Sequence, residues 1–313
     1  MTSPASAAAQ VRKGLAITAI GGLLFTLDLP LLRLAGADIW TLVFARGVFL
    51  FLSITACWYL IRASGKSRAP YIAGIAGLAV IISNTISNIT YIGAIKTTSG
   101  ANVVFIIALI PLLAACFSRL FIGERVHPFT WAAIAASFLG VGLIVWDGIG
   151  SGHVMGDLMA LVSAICTATN FTIIRASGKN VATSVAVGSL LSAIIALLFA
   201  HVDFGALTAT SAYQVPAWVW IALNGLIAIP LATALIANGP RFIPSADVSM
   251  FFLLETVLTP LWIWMLFNEV PSSMVLFGGM LVIVTLIVHS WWRLRMTLRG
   301  CDGETANADC PAD

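Results

Sequence analysis

The chain is a succession of apolar stretches separated by short polar connections. Each is close to the length, about 20 residues, that an α-helix needs to cross a hydrocarbon layer. Breaks at charge clusters and at proline or glycine divide it into ten stretches, near 14–32, 39–61, 70–93, 99–120, 129–147, 155–175, 181–200, 216–238, 244–267 and 272–292. Charged side chains make up 9% of the 313 residues and apolar or aromatic ones 60%. A soluble domain carries about 25% charge, so there are too few charges here to wet the surface of a globule this size. The same scarcity excludes a disordered chain and a nucleic-acid-binding one. The expected fold is an all-α polytopic membrane protein, with the bilayer as its first partner.

Orientation follows from Lys and Arg. With the N-terminus in the cytoplasm, ten crossings return the C-terminus there. The inner side then holds 13 of the 16 basic residues, the outer side only Arg33 and Lys96, and Arg46 falls within the second stretch. Trp40, Trp146, Trp218 and Trp220 fall near the outer boundary, and Trp58, Tyr71, Trp131, Trp291 and Trp292 near the inner one, as interfacial aromatics do. Residues 1–10 read as weakly structured, ahead of an uncleaved first helix. The stretch 201–215 reads as including an amphipathic surface piece, and the tail 300–313 as a disordered cytoplasmic segment. Cys57, Cys116 and Cys166 read as small packed hydrophobes, and none of the five cysteines has metal-ligand spacing. No metal and no cofactor is expected. Nothing in the motifs suggests an enzyme, since the SGKS at 64–67 lacks the first glycine of a phosphate loop.

The two halves resemble each other. At a shift of 142 residues, Asp28 meets Asn170, Arg33 meets Arg175 and Gly36 meets Gly178; at 145, Lys96 meets Arg241, Ala101 meets Ala246, Asn102 meets Asp247 and Glu124 meets Glu269. Five spans per copy is an odd number, so the second copy enters the membrane upside down. The expected division is 1–147 for the first five-helix repeat and 148–299 for the second, inverted one. Inverted repeats typify secondary transporters whose site lies near the midplane.

The stretch IGERVHPFTWAAIAASFLGVGLIV (122–145) closes the first half, with Gly123–Glu124 ending the fourth span and Gly140 and Gly142 in the fifth. In the second half, Asn268–Glu269 replaces Gly–Glu and Gly278–Gly279 supply the small residues. These features resemble the EamA-type members of the drug/metabolite transporter superfamily over residues 10–295, and among them the YddG-type exporters of aromatic and other amino acids. The resemblance implies ten helices and a central cavity lined by spans 1–4 and 6–9, with spans 5 and 10 at the periphery. It also implies transport without ATP hydrolysis in a bacterial inner membrane, by a monomer or weak homodimer.

Polar side chains at membrane depth are costly and should face a cavity or a partner. Asn84, Asn88 and Tyr91 share one face of the third span, as cavity lining or as amide glue between helices. Asn224 and Asn238 are nearly aligned on the eighth. Glu255 lies in the middle of FFLLETVLTPLW with no basic residue within two turns. It has three possible roles: carrying a proton, pairing with a substrate ammonium, or donating a hydrogen bond while neutral. Thr259 and Trp262 share its face, whereas Trp264 points elsewhere. Asp28 is a better partner than Glu255 for Arg46 or Arg33, in a structural or gate-forming pair. Pro30, Pro111, Pro230 and Pro260 interrupt spans 1, 4, 8 and 9, as hinges or as static kinks. Asn102 and Asp247 read as caps, and Glu124 and Glu269 as residues that fix the turns into spans 5 and 10.

Two classes of function fit. One is a secondary transporter that exports small organic solutes, foremost amino acids, by alternating access; other metabolites or lipophilic cations are its rival substrates. The other is a membrane scaffold or sensor that moves nothing.

Overall fold

A computed structural model describes residues 4–65, 71–123, 128–179, 181–210, 212–238 and 252–304. Among them the secondary structure is helical, apart from a lone β-bridge between Thr210 and Pro216. The helices are α1 (Pro4–Phe25), α2 (Asp28–Ala35), α3 (Ile39–Ala63), α4 (Ile75–Thr97), α5 (Gly100–Ile107), α6 (Ile110–Phe117), α7 (Pro128–Ser151), α8 (Val154–Ser177), α9 (Ala182–Phe199), α10 (Phe204–Thr208), α11 (Ala217–Ala222), α12 (Ile229–Asn238), α13 (Phe252–Phe267) and α14 (Ser273–Glu304). A π-helical turn, Leu223–Ala228, joins α11 to α12, and another, Ser118–Ile122, follows α6.

The described helices line up as ten rods in chain order: α1 with α2, α3, α4, α5 with α6, α7, α8, α9, α11 with α12, α13, and α14. Eight of the rods are long and apolar enough to cross a membrane, and the last two contribute shorter apolar helices, Leu258–Phe267 and Ser273–His289. Order starts earlier than expected, at Pro4, and the last helix runs on to Glu304, into the stretch expected to be unstructured. The stretch 201–215 holds α10, capped by Asp203 through Gly205 and Ala206 N–H and seated edge-on by Phe204 against Phe44. Tyr213 and Gln214 then turn the chain at positive φ.

The packing has an exchange symmetry. Rod three (α4) packs on rod six (α8), and rod eight (α11, α12) packs on rod one (α2, α1). Rod three also packs on rod seven (α9), as rod eight does on rod two (α3); rod four (α5, α6) packs on rod six, as rod nine (α13) does on rod one. The pairs α3–α9, α5–α13 and α7–α14 map onto themselves. Swapping rods one to five for six to ten therefore leaves these packing partners unchanged. Backbone conformation repeats with it. Gly36 and Gly178 both end their helices in the left-handed region (φ 68° and 62°), and so do Gly123 and Asn268 (φ 77° and 53°). These are the pairs matched in the sequence at shifts of 142 and 145, and glycine and asparagine are the residues that tolerate this conformation.

Proline shapes the rods through the carbonyl it leaves without a donor, four residues back. Pro30 frees the Thr26 carbonyl, and the first rod breaks at residues 26–27. Thr259 of α13 donates its hydroxyl to that carbonyl at 3.2 Å, and Trp262 Nε1 donates to the Thr26 hydroxyl at 3.1 Å. Pro230 frees the Leu226 carbonyl beside the π-helical turn, and Ser53 of α3 donates to it at 3.0 Å. Pro111 sits just after the break at 108–109, whereas Pro260 lies within a continuous α13.

Candidate functional site

Arg46 sits in α3, about 10 Å of helical rise from its Ile39 end, and is 7% exposed. Its guanidinium is used on every side. Nη2 donates to both carboxylate oxygens of Asp28, at 3.0 and 3.1 Å. Nη1 donates to Asn88 Oδ1 at 2.8 Å and Nε to Asn224 Oδ1 at 3.2 Å. The Tyr91 ring covers the cation, with its centroid 5.2 Å from Cζ. The amides pass the network on: Asn224 Nδ2 donates to Asp28 Oδ1 at 2.6 Å and to the Asp28 carbonyl at 3.1 Å, and Asn88 Nδ2 donates to Ser192 Oγ at 2.6 Å. Asp28, Arg46, Asn88 and Tyr91 belong to the first half of the chain, Ser192 and Asn224 to the second. The cluster thus ties the halves together, with Asn224 fully buried.

Glu255 lies beside this cluster. Asp28 and Tyr91 are within its electrostatic reach, yet among the described residues no hydrogen bond reaches its carboxylate. Thr259 and Trp262 are committed to the Thr26 break, and Trp264 is 53% exposed on the outer surface of the bundle. Asn84 does not join Arg46. Its Nδ2 donates to the Val185 carbonyl at 3.0 Å and to Ser189 Oγ at 3.2 Å, an amide bridge from α4 to α9. Asn238 ends α12 and its side chain lies outside the described residues, as do Glu124, Arg241, Ala246 and Asp247.

Two features escaped the sequence reading. Ser99, not Asn102, caps α5: Ser99 Oγ accepts from Asn102 N–H at 3.1 Å and donates to Asn102 Oδ1 at 2.7 Å. Asn102 instead reaches Asp157 Oδ1 at 3.0 Å, beside Thr98 Oγ1 at 2.7 Å. Asp157 is fully buried in the first turn of α8. Only its place opposite the start of α5 marks it, and that depends on the packing. Second, Glu269 does not fix its own turn. It pairs with Arg33 Nη1 and accepts from Gly100 N–H at 3.3 Å, while Arg33 Nη2 donates to the Thr98 carbonyl at 2.6 Å. The left-handed Asn268 aims Glu269 back across α5.

Above the Arg46 cluster, on the Arg33 side, opens a cleft of about 560 Å³. Its polar wall carries Arg33, Lys96, His153 and Glu269, and its apolar wall includes Ile263 and Phe267. Of the site residues named from the sequence, Pro260 lines it. A mixed wall of this kind suits a small organic solute with a charged group and an apolar body.

The comparisons with known proteins agree in kind. A family model described as "EamA-like transporter family" matches residues 12–146 and again 154–291, once in each half. A solved structure described only as "Crystal structure of protein" superposes with a TM-score of 0.58 at 20% identity, covering 90% of this chain and 98% of that one. At that identity the likeness is one of fold. No curated protein matches the sequence.

Proposed function

The chain belongs to the EamA-like transporter family, and on that premise we propose that it is a secondary transporter exporting small organic solutes, amino acids foremost, by alternating access. The observation that carries this reading is the Arg46 cluster. Ionisable side chains within a membrane are expensive and mark function or a partner. Here they lie at the junction of two halves whose packing partners exchange with one another. Such a junction is where inverted-repeat transporters hold their solute and rock. The reading includes ten crossings in two inverted repeats, 1–147 and 148–299, with both termini in the cytoplasm of a bacterial cell. The Lys and Arg distribution and the paired left-handed helix ends support it. Pro30 and Pro230 act in it as hinges, because each freed carbonyl accepts a hydroxyl from another rod in place of the missing backbone N–H.

The test is flux. Purified protein in liposomes is expected to give saturable counterflow of radiolabelled neutral and aromatic amino acids without ATP. A broad panel with no saturable flux would retire the exporter reading. One observation favours a second substrate class: Glu255, beside Asp28 and without a hydrogen bond among the described residues, is suited to a cationic solute. Under that reading Glu255→Gln abolishes flux of lipophilic cations and spares neutral amino acids.

A further inference from the structure

The cleft on the Arg33 side contains a carboxylate seat that the chain itself fills. Glu269 sits end-on against Arg33 Nη1, and its other oxygen accepts the first N–H of α5, that of Gly100. A guanidinium and a helix N-terminus together favour an anion. The seat is not saturated. Arg33 Nε is buried and has no hydrogen-bond partner, and the Arg33 side chain is 11% exposed against 39% for that of Glu269. One arm of the guanidinium fork is therefore unused, and the carboxylate that occupies the seat is the more exposed partner.

Arg33 and Lys96 line the cleft with Glu269, and Asp38, which caps α3 through Trp40 and Thr41 N–H, acts on Lys96. With Glu269 withdrawn, these two cations outnumber the one acid that remains. Opposite the charges, Ile263 and Phe267 offer an apolar wall, and Phe267 also lies under Arg33, its centroid 6.0 Å from Cζ.

We propose that Arg33 and Gly100 N–H, with Lys96 beside them, are the docking place for the carboxylate of the transported solute, and that Glu269 is a tethered competitor that must leave before the solute docks. The inference rests on the transporter reading and names the chemistry its substrate needs there: a free carboxylate on an apolar body. Docking exchanges one carboxylate for another on the same donors, so Arg33 has a carboxylate partner both before and after the exchange. When Glu269 leaves, the turn after α13 loses its polar tie to α2 and α5, which couples arrival of the solute to loosening of this side.

Three probes separate the groups: L-phenylalanine, 3-phenylpropionate without the ammonium, and 2-phenylethylamine without the carboxylate. Binding to purified protein is measured for wild type, Glu269→Gln and Lys96→Gln. Removing the competitor is expected to tighten binding of the two carboxylates about tenfold, and removing Lys96 to weaken it by a similar factor. The amine should move by less than about twofold in either variant. Equal effects on acids and amine, looser acid binding in Glu269→Gln, or no acid binding to any of the three proteins would overturn the proposal. Binding with the expected signs but no flux in liposomes would keep the seat and sink the transporter reading. Saturable flux with no discrimination between acid and amine would do the reverse.

Discussion

A buried guanidinium is tolerable only where its donors and its charge are both met, and Arg46 meets both with four side chains from three other rods. Removing it would leave Asp28 as a buried charge facing two amides that have lost their donor. Breaking a buried pair from one side costs about 3–5 kcal/mol. Arg46→Gln should therefore lower the melting temperature in detergent sharply, and Asp28→Asn added to it should recover part of the loss, because the stranded charge goes with it. An unchanged melting temperature in Arg46→Gln would mean that the cluster does not hold the fold. Asp28, Asn88, Asn224 and Arg46 were legible in the sequence because lipid makes such side chains conspicuous. Ser192 was not: a serine in an apolar helix can return its own proton to the backbone, as it does here to the Ser189 carbonyl at 2.7 Å, so it stands out from nothing. Glu269 was misread for a different reason. At a helix end a carboxylate always has a local role available, and its partner Arg33 lies 236 positions away.

At the scale of elements, the sequence marks where a rod can break but not what takes the freed carbonyl. Pro30 and Pro230 announce orphan acceptors at Thr26 and Leu226; that Thr259 and Ser53 answer them depends on how α13 and α3 are rotated. The same rotation decides which glycines matter. Gly140 and Gly142 look alike in sequence, yet a Cβ on Gly140 would stand 2.7 Å from the Gly278 carbonyl oxygen, whereas one on Gly142 would meet nothing within 4 Å. The α7–α14 crossing is thus backbone on backbone, the close approach that small residues permit between helices in lipid. Gly140→Leu should prise this pair apart and cost several degrees of melting temperature, while Gly142→Leu should be silent. Thermal unfolding of the two variants in the same detergent measures the contrast, and equal losses would contradict the register.

For the whole molecule, the open quantity is how the last two rods lie, because they contain the shorter apolar helices. The packing constrains them. Rod eight begins with α11 beside α2 and ends with α12 beside α1, so it runs from the Ala35 end of the first rod toward its Pro4 end. Yet Glu269, just beyond α13, holds Arg33 near the Ala35 end. α13, which packs on both α1 and α2 and leads to Glu269, therefore runs back toward the Ala35 end. With α14 lying along α7, a tenth rod then returns the chain. Under the proposed orientation, with the Arg33 end outside, the turn at 268–272 should face outward. Phosphatase and fluorescent-protein fusions after residue 65, after 152, after 270 and at the C-terminus test this. Ten crossings require an active phosphatase after 152 and 270, and fluorescence after 65 and at the C-terminus. Eight crossings would give the same result at every point but one: the fusion after Val270 would be cytoplasmic. That fusion alone decides between an intact pair of five-helix repeats and a truncated second copy.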